Sequence, residues 1–190
     1  PPTGRKSVKT IVSRYSKSLV FEAIQREFYR DGQVFYLLNN VSMLEEKKRE
    51  ISERFPDKNI AFAHGQLRPK ELSATMKSFI RKEIDLLVCT TIIESGIDIE
   101  NANTLIVEDS ENYGLSQLHQ IRGRVGRSQR EAFAYFFLNE AKELKNKASQ
   151  RIEALQENES LLSGFNLAMR DLEIRGAGEL LGERQSGPID

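Results

Sequence analysis

Three arginines separated by glycines stand within six positions of one another, in the segment Gln-Ile-Arg-Gly-Arg-Val-Gly-Arg that runs from Gln120 to Arg127. A guanidinium group is planar, stays charged and donates two parallel hydrogen bonds, which suits it to grip phosphate oxygens. Arginines that enter a nucleotide site from outside can also neutralise charge on a phosphoryl group during its transfer. This arginine block therefore predicts the arginine-bearing lobe of a motor driven by a nucleoside triphosphate, and a solvated loop is the alternative.

The charges around the arginine block are separated along the chain. Positions 91–111 hold six acidic residues and no Lys or Arg, whereas positions 112–130 hold four arginines and no acid. Such separation is expected where one face of a protein meets phosphates. It favours the phosphate-binding interpretation over the solvated loop.

Length and composition indicate an ordinary globular protein rather than a disordered one, with 190 residues, 39% hydrophobic and 29% charged. The 28 acids balance the 28 bases, so any affinity for nucleic acid must come from where the charges are placed. No apolar run approaches the roughly 20 residues that span a bilayer, and no secretory signal opens the chain. Cys89 lies in an apolar run, which predicts a buried, reduced thiol. We predict a cytoplasmic location and no membrane partner.

Strand-like and helix-like segments alternate over the first 139 residues. Short apolar runs predict strands at 8–12, 34–38, 60–63, 86–89, 104–107 and 132–138. Apolar residues at helical spacing predict helices through Val20, Ile24 and Phe28, through Val41, Leu44, Ile51 and Phe55, through Leu72, Met76 and Phe79, and across 115–121. Buried strands that alternate with helices predict an α/β fold with a parallel sheet and helices on both faces. Ligands bind such folds at the edge where the strands end.

The sequence changes character after residue 139. Residues 141–159 are rich in Lys, Glu and Gln and predict one helix, and the apolar spacing of Leu162, Phe165, Met169 and Leu172 predicts a second. Four glycines and a proline between 175 and 190 predict a loop. We therefore expect a sheet lobe at 1–139 and a helical hairpin with a terminal loop at 140–190.

The chain lacks the loop with which such motors hold phosphates. It contains no Gly-x-x-x-x-Gly-Lys-Ser/Thr segment and no Asp-Glu dipeptide. If the arginine block serves a nucleotide, that nucleotide must be held by another lobe. We therefore predict half of a motor, inactive by itself and part of a longer polypeptide.

An ordered set of motifs resembles the second RecA-like domain of superfamily 2 helicases and translocases. The motifs are Val-Phe-Tyr-Leu-Leu-Asn at 34–39, His-Gly-Gln at 64–66, Thr-Thr-Ile-Ile-Glu-Ser-Gly-Ile-Asp at 90–98, and the arginine block. Residues 171–187 resemble the TRG motif of duplex-DNA translocases, so the resemblance covers nearly the whole chain. Positions 1–10, 89–94 and 101–104 are most similar to the transcription-repair coupling factor family. The RecG family of branched-DNA helicases is the closest alternative, and a non-catalytic nucleic-acid-binding module is another.

The resemblance implies the function of a parent protein. That parent would be an ATP-dependent translocase on double-stranded DNA that displaces stalled RNA polymerase and couples transcription to nucleotide excision repair. ATP with Mg²⁺ would be held mainly by the first RecA-like lobe of the same parent chain. RNA polymerase and the excision-repair proteins would be contacted through other domains of the parent.

The resemblance also implies roles for individual side chains at the nucleotide. Arg124 and Arg127 are expected to be catalytic arginine fingers that reach across a cleft to the β- and γ-phosphates. Asp98 is expected to accept hydrogen bonds from the ribose hydroxyls, with Gly96 allowing the backbone to come close. Gln120 is expected to support the cleft through hydrogen bonds.

Structural alternatives stay open for these residues. The fingers could instead form ion pairs with Asp109 or Glu111, and Asp98 could cap a helix or a turn. The role of Arg122 is open, because many relatives carry arginine one position earlier, where Ile121 stands here.

Further residues are implied to contact DNA or to couple ATP hydrolysis to movement along it. The predicted DNA-binding residues are Asn39, Asn40, His64, Gly65, Thr90 and Thr91. They would touch phosphates and fix register without reading base sequence. The predicted coupling residues are Arg170, Arg175 and Gln185. Helix capping is the alternative for the first group, as for Asn40 before a helix, and a fixed ion pair for Arg175. No cluster of ligands accompanies His64, so no metal site is predicted in this chain.

Overall fold

The computed structural model describes residues 8–64, 68–90, 102–126 and 130–139. These ranges contain six strands and four α-helices. In chain order they are β1 (Val8–Arg14), α1 (Lys17–Tyr29), β2 (Gln33–Leu37), α2 (Leu44–Arg54), β3 (Ile60–Ala63), α3 (Pro69–Ile80), β4 (Leu86–Cys89), β5 (Ala102–Val107), α4 (Leu115–Arg122) and β6 (Ala132–Leu138). Short 3-10 turns at Val41–Met43 and Ser110–Asn112 precede α2 and α4.

The strands form one sheet in the order β1-β6-β5-β2-β4-β3, and all of the neighbouring strands are parallel. At the centre, Tyr36 of β2 lies between Val88 of β4 and Ile106 of β5. The predicted parallel sheet is confirmed. Because the strands are parallel, all of them end at the same side of the sheet, which we call the carboxyl edge. The residues that follow the strands there are Tyr15, Leu38–Asn40, His64, Thr90, Glu108 and Asn139.

Helices cover both faces of the sheet, as predicted. Side chains alternate across a strand, so Phe35 of β2 packs in a core with Phe79 of α3 and Leu118 of α4. The preceding residue, Val34, belongs to the opposite core, which includes Ile24 of α1. The central strands β2, β4 and β5 are buried along their whole length, which explains why they are continuous apolar runs.

Predicted and observed elements agree closely. Within the described ranges, the one residue assigned to the wrong element is Val41, in the apolar stripe that predicts α2. Strands β3, β4 and β6 have the predicted bounds, β1 and β5 are each two residues longer than predicted, and β2 begins and ends one residue earlier. Val41 was wrongly included in the stripe of α2, since it is 42% exposed in the preceding 3-10 turn. The position that the helical spacing places between Leu44 and Ile51 is Lys47, which is buried.

The predicted hairpin and glycine-rich loop at 140–190 lie outside the described residues, so the division into two domains stays a prediction. Among the described residues, no helix combines the length and the apolar character that crossing a membrane requires.

Candidate functional site

Several predicted DNA-binding residues lie together at the carboxyl edge. Asn39 and Asn40 follow β2, Thr90 follows β4 and His64 follows β3, and these three strands are adjacent in the sheet. The backbone N–H of Leu38 donates to the carbonyl of Cys89 across 2.7 Å, which holds the ends of β2 and β4 together. The sheet order therefore brings residues from three separate motifs to one side of the molecule.

The exposure of these residues differs. Both asparagines are exposed, whereas His64 is half-buried with its ring stacked on Phe62, and Thr90 is only 3% exposed. The Oδ1 atom of Asn40 accepts hydrogen bonds from the Ser42 backbone at 3.2 Å and from the Ser42 hydroxyl at 2.7 Å. This oxygen therefore caps the turn before α2, as the helix-capping alternative predicts. A contact between Asn40 and DNA stays a prediction.

Helix α4 carries the first part of the arginine block. Gln120 is exposed near the end of the helix, whereas the side chain of Arg122 is fully buried. The Arg122 guanidinium donates to the hydroxyl of Thr10 on β1 across 2.9 Å. This hydrogen bond links the end of α4 to β1, which is an edge strand of the sheet.

The chain beyond α4 is held by buried contacts. Val125 is fully buried, and Gly126 has a φ of +70° and donates from its backbone N–H to the carbonyl of Ala102 across 3.1 Å. Arg124 is half-buried and lies between two anchored positions, Arg122 and Val125. The backbone on both sides of Arg124 is therefore held in place, and the contact of Arg124 with a phosphate stays a prediction.

Three acidic residues follow β5, and two of them, Asp109 and Glu111, accept hydrogen bonds from Asn139 after β6. The Asn139 amide donates to Asp109 Oδ1 at 2.8 Å, and its backbone N–H donates to Glu111 Oε1 at 3.2 Å. Asp109 has a left-handed backbone with φ of 53°, a conformation that occurs most often in turns and at functional sites. Burial, with Asp109 nearby, raises the pKa of Tyr113 to about 12. These contacts brace the connection between β5 and α4.

A buried polar network at the carboxyl edge was missed by the sequence analysis. The Lys47 ammonium lies 3.1 Å from Glu108 Oε2 and 3.2 Å from the Tyr15 hydroxyl, and the Tyr36 hydroxyl donates to Glu108 across 2.5 Å. Burial is the largest single effect on the pKa of Lys47 and acts to lower it, but Glu108 and Tyr15 together outweigh burial and the pKa is raised. Burial and Glu108 together raise the pKa of Tyr36 well above its usual value. The signal for this network in the sequence was Lys47, which stands where the helical spacing of α2 predicts an apolar residue.

Other predicted site residues lie outside the described ranges. They are Gly65, Thr91, Gly96, Asp98, Arg127, Arg170, Arg175 and Gln185. In the part of the chain that the structure describes, no three His, Cys, Asp or Glu side chains are grouped so that they could hold a metal ion.

Comparison with known protein families and sequences gives consistent matches. Residues 17–129 match the helicase conserved C-terminal domain. Over all 190 residues the chain is 53% identical to the transcription-repair-coupling factor of Staphylococcus aureus (strain USA300), and 52% identical to that of Staphylococcus haemolyticus (strain JCSC1435). The chain spans 16% of the length of each of these relatives.

Solved structures share the fold. RecG bound to a three-way DNA junction matches with a TM-score of 0.79 and 34% identity, covering 94% of this chain and 24% of RecG. Domain 2 of the DEAD-box helicase Mss116p, bound to an RNA duplex, matches with a TM-score of 0.63 and 18% identity, covering 81% of this chain and 62% of that one. At 18% identity, the match to Mss116p shows a shared fold and nothing about function.

Proposed function

We propose a function that proceeds from one premise: this chain belongs to the family of helicase conserved C-terminal domains, which it matches over residues 17–129. The chain acts as the second motor lobe of an ATP-dependent translocase on double-stranded DNA. The observation that carries the proposal is the carboxyl edge of the sheet. There Asn39 and Asn40 lie beside Thr90 and His64, while the same sheet anchors the helix that leads to Arg124.

In this proposal the two lobes of the parent divide the work on ATP. The chain has no phosphate-binding loop, so a first lobe holds most of the ATP and Mg²⁺. This lobe supplies Gln120, Gly96 and Asp98 to the nucleotide, and Arg124 and Arg127 to the phosphates. A guanidinium that meets the charge of the transferring phosphoryl group only in the transition state accelerates hydrolysis rather than tightening ATP binding.

The contact with DNA is proposed to be independent of base sequence. Amide, hydroxyl and backbone groups at the carboxyl edge would bind phosphates, which positions the duplex without reading it. Such a contact suits a protein that must move along any sequence. The predicted coupling residues Arg170, Arg175 and Gln185 would connect lobe closure to this movement.

The parent protein is proposed to act in transcription-coupled repair. Support comes from the 53% identity to the Staphylococcus aureus transcription-repair-coupling factor over the whole chain, compared with 34% to RecG. Such a parent would displace stalled RNA polymerase and recruit excision-repair proteins through its other domains. The second candidate is a RecG-type helicase on branched DNA, which the TM-score of 0.79 favours.

The arginine fingers are tested in a polypeptide that carries both motor lobes. We expect Arg124→Ala and Arg127→Ala to leave ATP binding nearly unchanged and to reduce steady-state hydrolysis by about 10³- to 10⁵-fold. ATP affinity is measured with a fluorescent analogue and hydrolysis by phosphate release. Arg81→Ala is the matched control, because Arg81 is an exposed arginine on the end of α3. Wild-type turnover in both finger variants would contradict the assignment.

The substrate is tested by two assays on the same preparation. One measures displacement of RNA polymerase from a stalled elongation complex, and the other measures unwinding of a four-way junction. Displacement with little unwinding is expected. The opposite result would favour the RecG-type function.

A further inference from the structure

Lys47 and Glu108 form a largely buried ion pair that joins α2 to the residue following β5. Their charged atoms are 3.1 Å apart, and their side chains are only 10% and 16% exposed. Removing two charges from water carries a large desolvation cost, and apolar residues of similar size often stabilise a fold equally well. The stability of the fold therefore gives little reason for an ion pair at this place. A better reason is that the pair holds α2 and the segment after β5 in one defined arrangement.

The pair belongs to a network that provides one acceptor for each donor hydrogen of the lysine. An ammonium group has three donor hydrogens, and Lys47 has three acceptors within 3.5 Å, on Glu108, Tyr15 and Glu50. The Tyr36 hydroxyl on β2 donates to the same Glu108 oxygen that Lys47 contacts. The network therefore joins α2 to the ends of β1 and β5 with little freedom for other arrangements.

The two charged residues lie close in sequence to the two candidate functional segments. Lys47 is in the first turn of α2, directly after the 3-10 turn that Asn40 caps. Glu108 is the first residue after β5, and its backbone N–H donates to the carbonyl of Leu37 across 3.1 Å. The segment after Glu108 continues through the left-handed Asp109 into α4.

We propose that the Lys47–Glu108 ion pair transmits engagement of duplex DNA at Asn39 and Asn40 to α4, and so to the arginine block. A displacement of the first turn of α2 carries Lys47 with it. If the two residues separated, the Glu108 carboxylate would stay buried without the ammonium that it pairs with, so Glu108 moves together with Lys47. The two are positioning residues, which touch neither DNA nor ATP. This inference rests on the proposed function of a DNA-stimulated ATPase.

The test measures ATP turnover with and without duplex DNA in a polypeptide that carries both lobes. We expect Lys47→Met and Glu108→Gln each to lower the ratio of the two rates, within the roughly 5- to 150-fold range typical of coupling between sites. The double variant should lower the ratio no further than the stronger single variant, since both remove one contact. The affinity for DNA, measured separately, should stay within about twofold of wild type, because neither residue contacts DNA.

Matched variants separate coupling from general damage. Arg49→Met removes an exposed cation from the same helix and should leave the ratio unchanged. Glu108→Gln keeps the shape of the side chain, so it carries the test if Lys47→Met does not fold, as judged by thermal unfolding.

Two outcomes would overturn the inference. If DNA stimulation persists in both single variants, or if their effects multiply in the double variant, the ion pair does not couple the two segments, and the proposed function is unaffected. If the unaltered polypeptide shows no DNA stimulation at all, both the proposed function and the inference fail.

Discussion

Arg122 and Arg124 stand two positions apart in the same block, and the fold treats them differently. The guanidinium of Arg122 is fully buried and bonded to Thr10, whereas Arg124 is half-buried beyond the end of α4. A buried guanidinium must be hydrogen-bonded to offset its desolvation, which makes it a rigid anchor. At the scale of single residues, burial distinguishes the fully buried Arg122 from the partly exposed Arg124, whose contact with a phosphate stays a prediction.

Cys89 gives a prediction at this scale. Burial raises the pKa of its thiol to about 12, and the side chain is only 4% exposed. Since the thiolate is the reactive form, we expect a thiol reagent at pH 8 to label Cys89 only when the protein unfolds. The labelling rate should rise with denaturant along the unfolding curve, and rapid labelling under native conditions would contradict the burial. Because the folded protein keeps this thiol neutral, its raised pKa also makes the free energy of unfolding depend on pH. The contribution of Cys89 to stability is full below the ordinary thiol pKa of 9.0 and is lost as the pH rises from there towards about 12.

Most of the candidate site residues that the structure describes follow the end of a strand or a helix. Asn40 caps the turn before α2, and Asn139 braces the turn after β5. Gly126, with its positive φ and its bond to Ala102, sets the path of the chain after α4. Capped and bonded ends keep such connections in one conformation, so the helices and strands position residues that lie outside them.

The two glycines of the arginine block are predicted to differ in their tolerance of a methyl group. In Gly126→Ala the new Cβ would lie 2.6 Å from Ala132 Cβ, at a φ of +70°. The left-handed backbone and the overpacking should together lower the free energy of unfolding by about 2 kcal/mol or more.

Gly123→Ala is the matched control for this effect. The backbone of Gly123 is helical, and the nearest atom to its new Cβ would be 3.4 Å away. We expect a change within about 1 kcal/mol, since a compatible Gly→Ala substitution is often mildly stabilising. Urea denaturation of both variants gives the comparison, and equal losses would show that the strain at Gly126 is unimportant.

On the scale of the whole molecule, charge placement matters more than net charge. The 28 bases are balanced by 28 acids, so no overall positive field draws the chain to nucleic acid. The chain also has no phosphate-binding loop, and it spans 16% of the length of its transcription-repair relatives. These features fit one lobe of a two-lobe motor, in which the ATP site is completed by both lobes.

The isolated chain is therefore predicted to hydrolyse ATP at a negligible rate and to bind duplex DNA weakly at best. The DNA affinity should fall linearly with the logarithm of salt concentration, with a slope of about −0.9 for each phosphate contacted. Phosphate release and fluorescence anisotropy measure the two properties. Robust ATP turnover by the purified chain would show that the two-lobe interpretation is wrong.

Local patterns were sufficient to identify most of the fold. Strands β3, β4 and β6 were predicted at their observed bounds, because a strand buried on both faces must be a continuous apolar run. Helices followed from apolar spacing, and the parallel sheet from their alternation with strands. The error at Val41 arose because a polar cap from Asn40 overrides the helical spacing of apolar residues.

The arrangement of the candidate site depended on contacts between distant parts of the chain. Sequence motifs supplied the candidate residues, since phosphate contacts require particular side chains and those side chains are visible in the sequence. The order of the strands placed Asn39 beside Thr90, and packing buried Arg122 while leaving Arg124 partly accessible. The pairing of Lys47 with Glu108 likewise joins elements far apart in the chain. Periodicity reports only the neighbours within a turn or a strand, whereas burial and pairing depend on which elements pack together in three dimensions.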